Sequence, residues 1–294
     1  MSTIETRDLT KFYGETRGIE DLNLAVEEGE VFGFLGPNGA GKTTTIRTLL
    51  GFIAPTEGEA TVLGRDVRDE RDLIDAKRHV GYLPSDPGFD EDTTGEQFLD
   101  YQASLKGDAR RDELLDLFDA PADRKIGAYS RGNKQKLAIV QAFMHDPDLV
   151  VMDEPTSGLD PLMQERFYDF IQAEQECGKT VFFSSHILSE VRKVCDRVGI
   201  IRDGRLVTTE DVETLLDRSG KRVRVNVEEQ VDPADFDIAG VHNLSLDGEV
   251  RFTFTGEYDA LIDHLAAFHV VDLDVEEAPL DEVFMRFYGG EAHA

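Results

Sequence analysis

The chain has 294 residues, 40% of them hydrophobic, enough for one large domain or for one domain with a small appendage. Its 31 Lys+Arg against 60 Asp+Glu leave a formal charge of −29, which speaks against a nucleic-acid backbone binder because counterion release needs a basic face. No run approaches the roughly 20 apolar residues of a membrane span, and Met1-Ser2-Thr3-Ile4-Glu5 lacks the basic and apolar regions of a secretion signal.

The acid excess is spread along the chain in pairs such as Glu27-Glu28 and Glu228-Glu229, without the long like-charge run of a disordered tail. Two readings stand. One is a halophilic surface suited to a saline cytoplasm, where the Debye length falls to about 3 Å near 1 M salt. The other is an ordinary acidic protein. Cys177 and Cys195 show no metal-type spacing, which fits a reduced, cytosolic compartment.

In chain order, residues 4–12 and 19–26 read as loosely alternating strands, and Val31-Phe32-Gly33-Phe34-Leu35 as a buried one. Gly36-Pro37-Asn38-Gly39-Ala40-Gly41-Lys42-Thr43 follows at once and fits G-x-x-x-x-G-K-[ST] at every fixed position. Glycines let successive N–H groups turn inward into an anion nest, and Lys42 adds a mobile point charge. The Thr43 hydroxyl can ligate Mg²⁺, and the helix that starts there aims its positive end at the phosphates. A chance glycine turn is the alternative. The apolar strand before the motif and Ile46, Leu49 and Leu50 after it favour nucleoside triphosphate binding.

Strand signals then disappear between Gly95 and Met144, and Phe98, Tyr101 and Leu105 fall at helical spacing, so residues 88–146 are expected to form a helical insertion. Inside it, Ser130-Arg131-Gly132-Asn133-Lys134-Gln135 opens a helix with Leu137, Ile139, Val140 and Phe143 on its apolar side. Ser130 is either a plain N-cap or, with Gly132, a second phosphate holder whose ligand would belong to another subunit.

Leu149-Val150-Val151-Met152-Asp153-Glu154 is an apolar run ending in two carboxylates. A buried strand delivers such acids to its carboxyl end, where ligands of open α/β sheets sit. There Asp153 would hold Mg²⁺ through water and Glu154 would orient the attacking water; the plain alternative is a strand capped by solvated acids. Thr180-Val181-Phe182-Phe183 is the next strand candidate, and His186 just beyond it is placed either to sense a γ-phosphate or to serve the fold. Val198-Gly199-Ile200-Ile201 is a further strand. Strands alternating with helices make residues 1–217 an α/β domain.

A small α+β domain is expected over 218–294. Val223-Arg224-Val225-Asn226-Val227 and Val250-Arg251-Phe252-Thr253-Phe254 alternate as strands, and a helix carries Leu261, Leu265 and Phe268. Another strand and a closing amphipathic helix with Leu280, Val283, Phe284 and Phe287 on one stripe follow; that stripe suits packing on its own domain.

Across residues 1 to about 217 the chain resembles the ATP-binding subunits of ABC transporters. The phosphate loop, the strand ending in Asp153-Glu154, the run Ser157-Gly158-Leu159-Asp160 and His186 stand in that family's order. The resemblance implies a P-loop NTPase core with a helical subdomain, ATP and Mg²⁺ as cofactors, and ATP hydrolysis as the activity. It assigns nucleotide contacts to Gly36, Asn38, Gly39, Ala40, Gly41, Lys42, Thr43 and Thr44, with Tyr13 stacking on adenine. Glu154 and His186 become catalytic, Thr43 and Asp153 metal-binding. Asp160 belongs to a loop at a dimer interface, and Ser130, Gly132 and Asn133 to a signature that acts on the partner's ATP.

The chain departs from the family pattern twice. Tyr129-Ser130-Arg131-Gly132-Asn133 replaces the usual Leu-Ser-Gly-Gly-Gln, and Ser85 stands after Val80-Gly81-Tyr82-Leu83-Pro84 where a Gln would contact Mg²⁺. A Ser hydroxyl reaches less far than a Gln amide, which favours a water bridge there. The resemblance further implies a paired subunit, with a homodimer as the simplest case, and a separate integral permease that holds the chain at the cytoplasmic face of the membrane. Pro279-Leu280-Asp281-Glu282-Val283-Phe284-Met285-Arg286 resembles the closing segment of drug- and polysaccharide-exporting relatives, which suggests export. The rivals are an ABC ATPase acting on DNA or the ribosome, which the charge and the lack of a coiled coil or second cassette oppose, and a regulatory module without turnover.

Overall fold

The computed structural model describes residues 2–229, 231–246 and 248–277. Contacts divide the chain into two compact units, one of residues 1–186 with 190–209, the other of 187–189 with 210 onward. The division at Thr209 and Glu210 lies a few residues before the one expected at 217.

The first unit begins with β1 (Ser2–Tyr13), β2 (Thr16–Glu27), β3 (Val31–Leu35), α1 (Lys42–Leu49), β4 (Glu57–Val62), β5 (Arg65–Asp66), α2 (Glu70–Arg78) and β6 (Val80–Leu83). The helical stretch follows as α3 (Gly95–Lys106), α4 (Arg111–Phe118) and α5 (Arg131–Phe143). The chain then returns to alternation through β7 (Leu149–Asp153), α6 (Pro161–Glu176), β8 (Thr180–Ser185), α7 (Leu188–Val194), β9 (Arg197–Arg202) and β10 (Arg205–Asp211).

Two sheets result. One has six strands in the order β10-β9-β3-β8-β7-β6, with β3, β6, β7, β8 and β9 paired in parallel. The other is antiparallel, in the order β2-β1-β4-β5. Every residue of β3, β7 and β8 is buried, which is why these strands read as unbroken apolar runs rather than as alternation. One core joins the sheets, with Ile4, Leu9 and Val26 clustered with Phe32, Phe34 and Phe182. The Phe32 and Phe182 rings stack at 5.9 Å and 15°. Strands β4 and β5 were not expected. β4 is half exposed and carries Gly58, and it pairs because Ile4 of β1 meets Val62 across the ladder.

Local chemistry sets the helix ends near the site. Thr94 and Gln97 cap α3 reciprocally. Ser130 caps α5. Asp160 accepts from the Met163 amide, and Pro161 opens α6 with the φ a first helical residue needs.

The second unit holds α8 (Val212–Ser219), β11 (Lys221–Val227), β12 (Val241–Leu246), β13 (Val250–Phe254), α9 (Tyr258–Leu265) and β14 (Val270–Glu277). Its antiparallel sheet runs β12-β13-β11-β14. Val223, Val225, Phe252 and Phe254 bury their faces with Phe236 of a short 3₁₀ turn and Leu261 and Leu265 of α9. The expected closing helix at 279–287 lies outside the described residues.

Candidate nucleotide site

The loop between β3 and α1 is shaped by backbone that side chains would obstruct. Gly39 and Gly41 adopt φ of 82° and 113°. A Cβ on Gly36 would stand 2.4 Å from the Ile201 carbonyl oxygen, and one on Gly41 would stand 2.9 Å from that of Gly18. Ala40 is buried between these glycines and donates its amide to the Pro37 carbonyl. The loop is therefore pressed onto the core from behind and leaves its other side to a ligand.

Lys42 is the first residue of α1 and only 6% exposed. Its Nζ donates to the Gly36 carbonyl at 2.6 Å and lies 3.6 Å from Glu154 Oε1. Burial pulls the ammonium below the ordinary lysine range, while Glu154 and Asp153 pull it back up. The next residue, Thr43, donates its hydroxyl to Asp153 Oδ2 at 2.8 Å. Ser184 of the adjacent strand donates to the other oxygen of the same carboxylate at 2.6 Å. Asp153 is thus a buried carboxylate held at both oxygens by hydroxyls, at the carboxyl end of β7.

Glu154 leaves the strand in the left-handed region, with φ of 51°. A non-glycine residue there is held by its surroundings. Its amide donates to the Ser184 carbonyl at 3.1 Å, and its Oε1 lies 3.0 Å from His186 Nδ1. Lys42, Glu154 and His186 therefore form a contiguous row drawn from three elements.

Lys42, Thr43, Asp153 and Glu154 border a cavity of about 430 Å³; His186 does not line it and reaches it through Glu154. Of the expected nucleotide contacts, Tyr13, Asn38, Gly39, Gly41, Lys42, Thr43 and Thr44 line it, and so do Ser85, Asp153 and Glu154. Gly36 and Ala40 form the rear of the loop. Tyr13 is half exposed, with the Lys11 ammonium 5.5 Å from its ring centre. Arg17 and Gly18 also line the cavity and were not anticipated, because the start of β2 carries no motif. The residues fit a magnesium nucleotide: an enclosed ammonium, a glycine cradle, and two hard oxygen ligands, Thr43 Oγ1 and Asp153 Oδ2, already side by side.

Ser130, Gly132, Asn133 and Asp160 are not among the residues lining this cavity. Ser130 Oγ accepts from the Asn133 amide at 3.3 Å. Arg131 donates to Ser157 Oγ at 2.5 Å, and its side chain crosses Gly158, where a Cβ would meet Arg131 Cγ at 2.9 Å. One turn on, Gln135 donates to the Pro155 carbonyl at 2.7 Å from a buried position. The start of α5 is thereby fastened to the segment that follows Glu154. That link was not legible in the sequence.

The family model described as ABC transporter matches residues 19–157. The bacitracin transport ATP-binding protein BcrA of Bacillus licheniformis is 34% identical over 306 residues, covering 99% of this chain and 99% of that protein. A solved ATP-binding subunit of an ABC transporter is 29% identical, with a TM-score of 0.68 over 74% of this chain and 93% of its own. A dimeric bacterial ABC transporter cassette is 25% identical, with a TM-score of 0.66 over 71% of this chain and 98% of its own. With a phosphate loop, an acid-ended strand and a helical subdomain in one cassette, and this likeness along its whole length, the chain belongs to the ATP-hydrolysing, ATP-binding subunits of ABC transporters.

Proposed function

We propose that Glu154 and His186 carry out hydrolysis of Mg·ATP in a paired assembly, and that the pair drives export of a solute through a separate integral membrane permease. The observation that carries the reading is the row Lys42, Glu154, His186 beside the Thr43–Asp153 pair, at the mouth of the phosphate loop. Lys42 and the loop amides bind the phosphates, and Tyr13 at the cavity rim stacks on the base. Thr43 and Asp153 would hold Mg²⁺, which spreads the phosphate charge when bound. Glu154 orients the water, and His186, hydrogen-bonded to the same carboxylate, fixes its direction.

Ser130, Gly132 and Asn133 stand away from the chain's own cavity, which suits a signature acting on the ATP of a second copy; Asp160 would lie at that interface. The dimeric bacterial cassette supports the arrangement. Ligand-dependent closure then follows from contacts that span both copies only while triphosphate is bound. Similarity along 99% of a bacitracin transport protein supports a transport task that includes the second unit. Among the described residues no helix is long and apolar enough to cross a membrane, in keeping with attachment through the permease. The acidic surface is read as halophilic.

The test is Glu154→Gln. It keeps the shape and removes the carboxylate, so kcat should fall about a hundredfold or more while ATP affinity stays within about twofold, and an ATP-dependent dimer should accumulate in size-exclusion chromatography. A parent-like turnover rate sinks the assignment.

A further inference from the structure

The parallel ladder between β7 and β8 ends at the pair Asp153 and Ser184, yet the groups that must meet lie beyond it, on Glu154 and His186. The Glu154 amide still reaches the Ser184 carbonyl, and the Ser185 carbonyl accepts from the Gly36 amide at 3.2 Å. A further side chain joins the two segments past that point. Glu190 of α7 accepts from Thr156 Oγ1 with one carboxylate oxygen and from Ser185 Oγ with the other, each at 2.5 Å. Thr156 is two residues after Glu154, and Ser185 immediately precedes His186. All three partners are buried, at 4%, 1% and 7% exposure for Thr156, Ser185 and Glu190. The Tyr168 hydroxyl of α6 lies against the same carboxylate, and burial followed by the Glu190 charge holds it protonated well above the ordinary tyrosine range.

We propose that Glu190 is a positioning residue for hydrolysis: its carboxylate clamps the segment after Glu154 to the end of the strand that carries His186, and so sets the 3.0 Å approach of the two side chains. This rests on the roles of Glu154 and His186 proposed above. A carboxylate suits the task because it offers acceptors to two hydroxyls at once, whereas an amide has one acceptor oxygen and must turn a donor toward the other hydroxyl. Displacing the segment after Glu154 by a fraction of an ångström would misdirect the water while Lys42 and the loop amides stay in place, so the cost falls on the chemical step.

The experiment measures kcat, KM for ATP, affinity for a fluorescent ATP analogue and Tm for Glu190→Gln, Thr156→Val and Thr156→Ser in the full chain. Glu190→Gln should lower kcat about tenfold, with KM and affinity within about twofold of the parent. Thr156→Val, which keeps the volume and removes the hydroxyl, should reproduce that loss, and Thr156→Ser should restore most of the rate. Glu190→Gln with Thr156→Val should cost no more than the worse single change within about twofold, since both break one clamp. The proposal is overturned if kcat of Glu190→Gln matches the parent, if its loss appears equally in KM and nucleotide affinity, or if Thr156→Ser is as slow as Thr156→Val. Should Glu154→Gln itself turn over like the parent, the reading of the site fails and the clamp with it; a slow Glu154→Gln beside a parent-like Glu190→Gln overturns the clamp alone.

Discussion

Lys42 shows how much of the site is decided by single groups. Its ammonium is almost fully enclosed, with the Gly36 carbonyl at 2.6 Å and Glu154 at 3.6 Å. An enclosed compact charge next to a triphosphate is worth more than the same charge in water. Lys42→Ala should therefore weaken nucleotide binding by about tenfold or more, read with a fluorescent ATP analogue. Lys42→Arg should fail as well, because the planar guanidinium needs more room than the carbonyls and Glu154 leave. Affinity retained in either variant would contradict the placement. The loop itself was legible because its composition is imposed by backbone geometry, so the glycines, Lys42 and Thr43 appear at fixed offsets. Asp153 and Glu154 were legible as the polar end of a buried strand. Ser184, Gln135 and Glu190 were not: each acts by reaching a residue distant in the chain, and no local pattern marks a side chain whose partner is set by tertiary packing.

The six-stranded sheet carries the site, and its edge strand β6 is held by a close approach that only glycine allows. A Cβ on Gly81 would stand 2.1 Å from the Ala142 carbonyl oxygen in α5, so the helix of the inserted subdomain rests directly on the strand. Gly81→Ala must push α5 away or break the Gly81–Val150 register with β7. The expected cost is about 2–3 kcal/mol, which for a domain of this size lowers Tm by about 5–10 °C. Gly88→Ala is the control: nothing lies within 4 Å of that Cβ, and the change should stay within about 0.5 kcal/mol. Equal melting of the two variants would show that α5 does not need this contact. The same scale explains which strands could be read. β3, β7 and β8 are buried on both faces and announce themselves as apolar runs, whereas β4 and β12 are half exposed, and their pairing depends on neighbours rather than on their own residues.

At the level of the molecule, charge is the dominant unbalanced quantity. Salt acts on it in two opposed ways. It weakens exposed ion pairs such as Arg68 with Asp66 and Glu59, but such pairs contribute only about 0–1 kcal/mol each. It also screens the mutual repulsion of an excess of 29 negative charges, which exists wherever acids have no basic partner within a Debye length. With 60 acids against 31 bases, acids outnumber cations about two to one, so the repulsive part is the larger and screening should stabilise the fold. Tm is expected to rise by about 10 °C between 0.1 M and 2 M KCl, with most of the gain once the Debye length drops below about 4 Å. Potassium chloride is the right probe because sulfate would strengthen apolar burial by itself and hide the electrostatic effect. A Tm that stays level or falls over that range would make the ion pairs the larger contribution and leave the acidic surface as ordinary solvation rather than an adaptation to a saline interior.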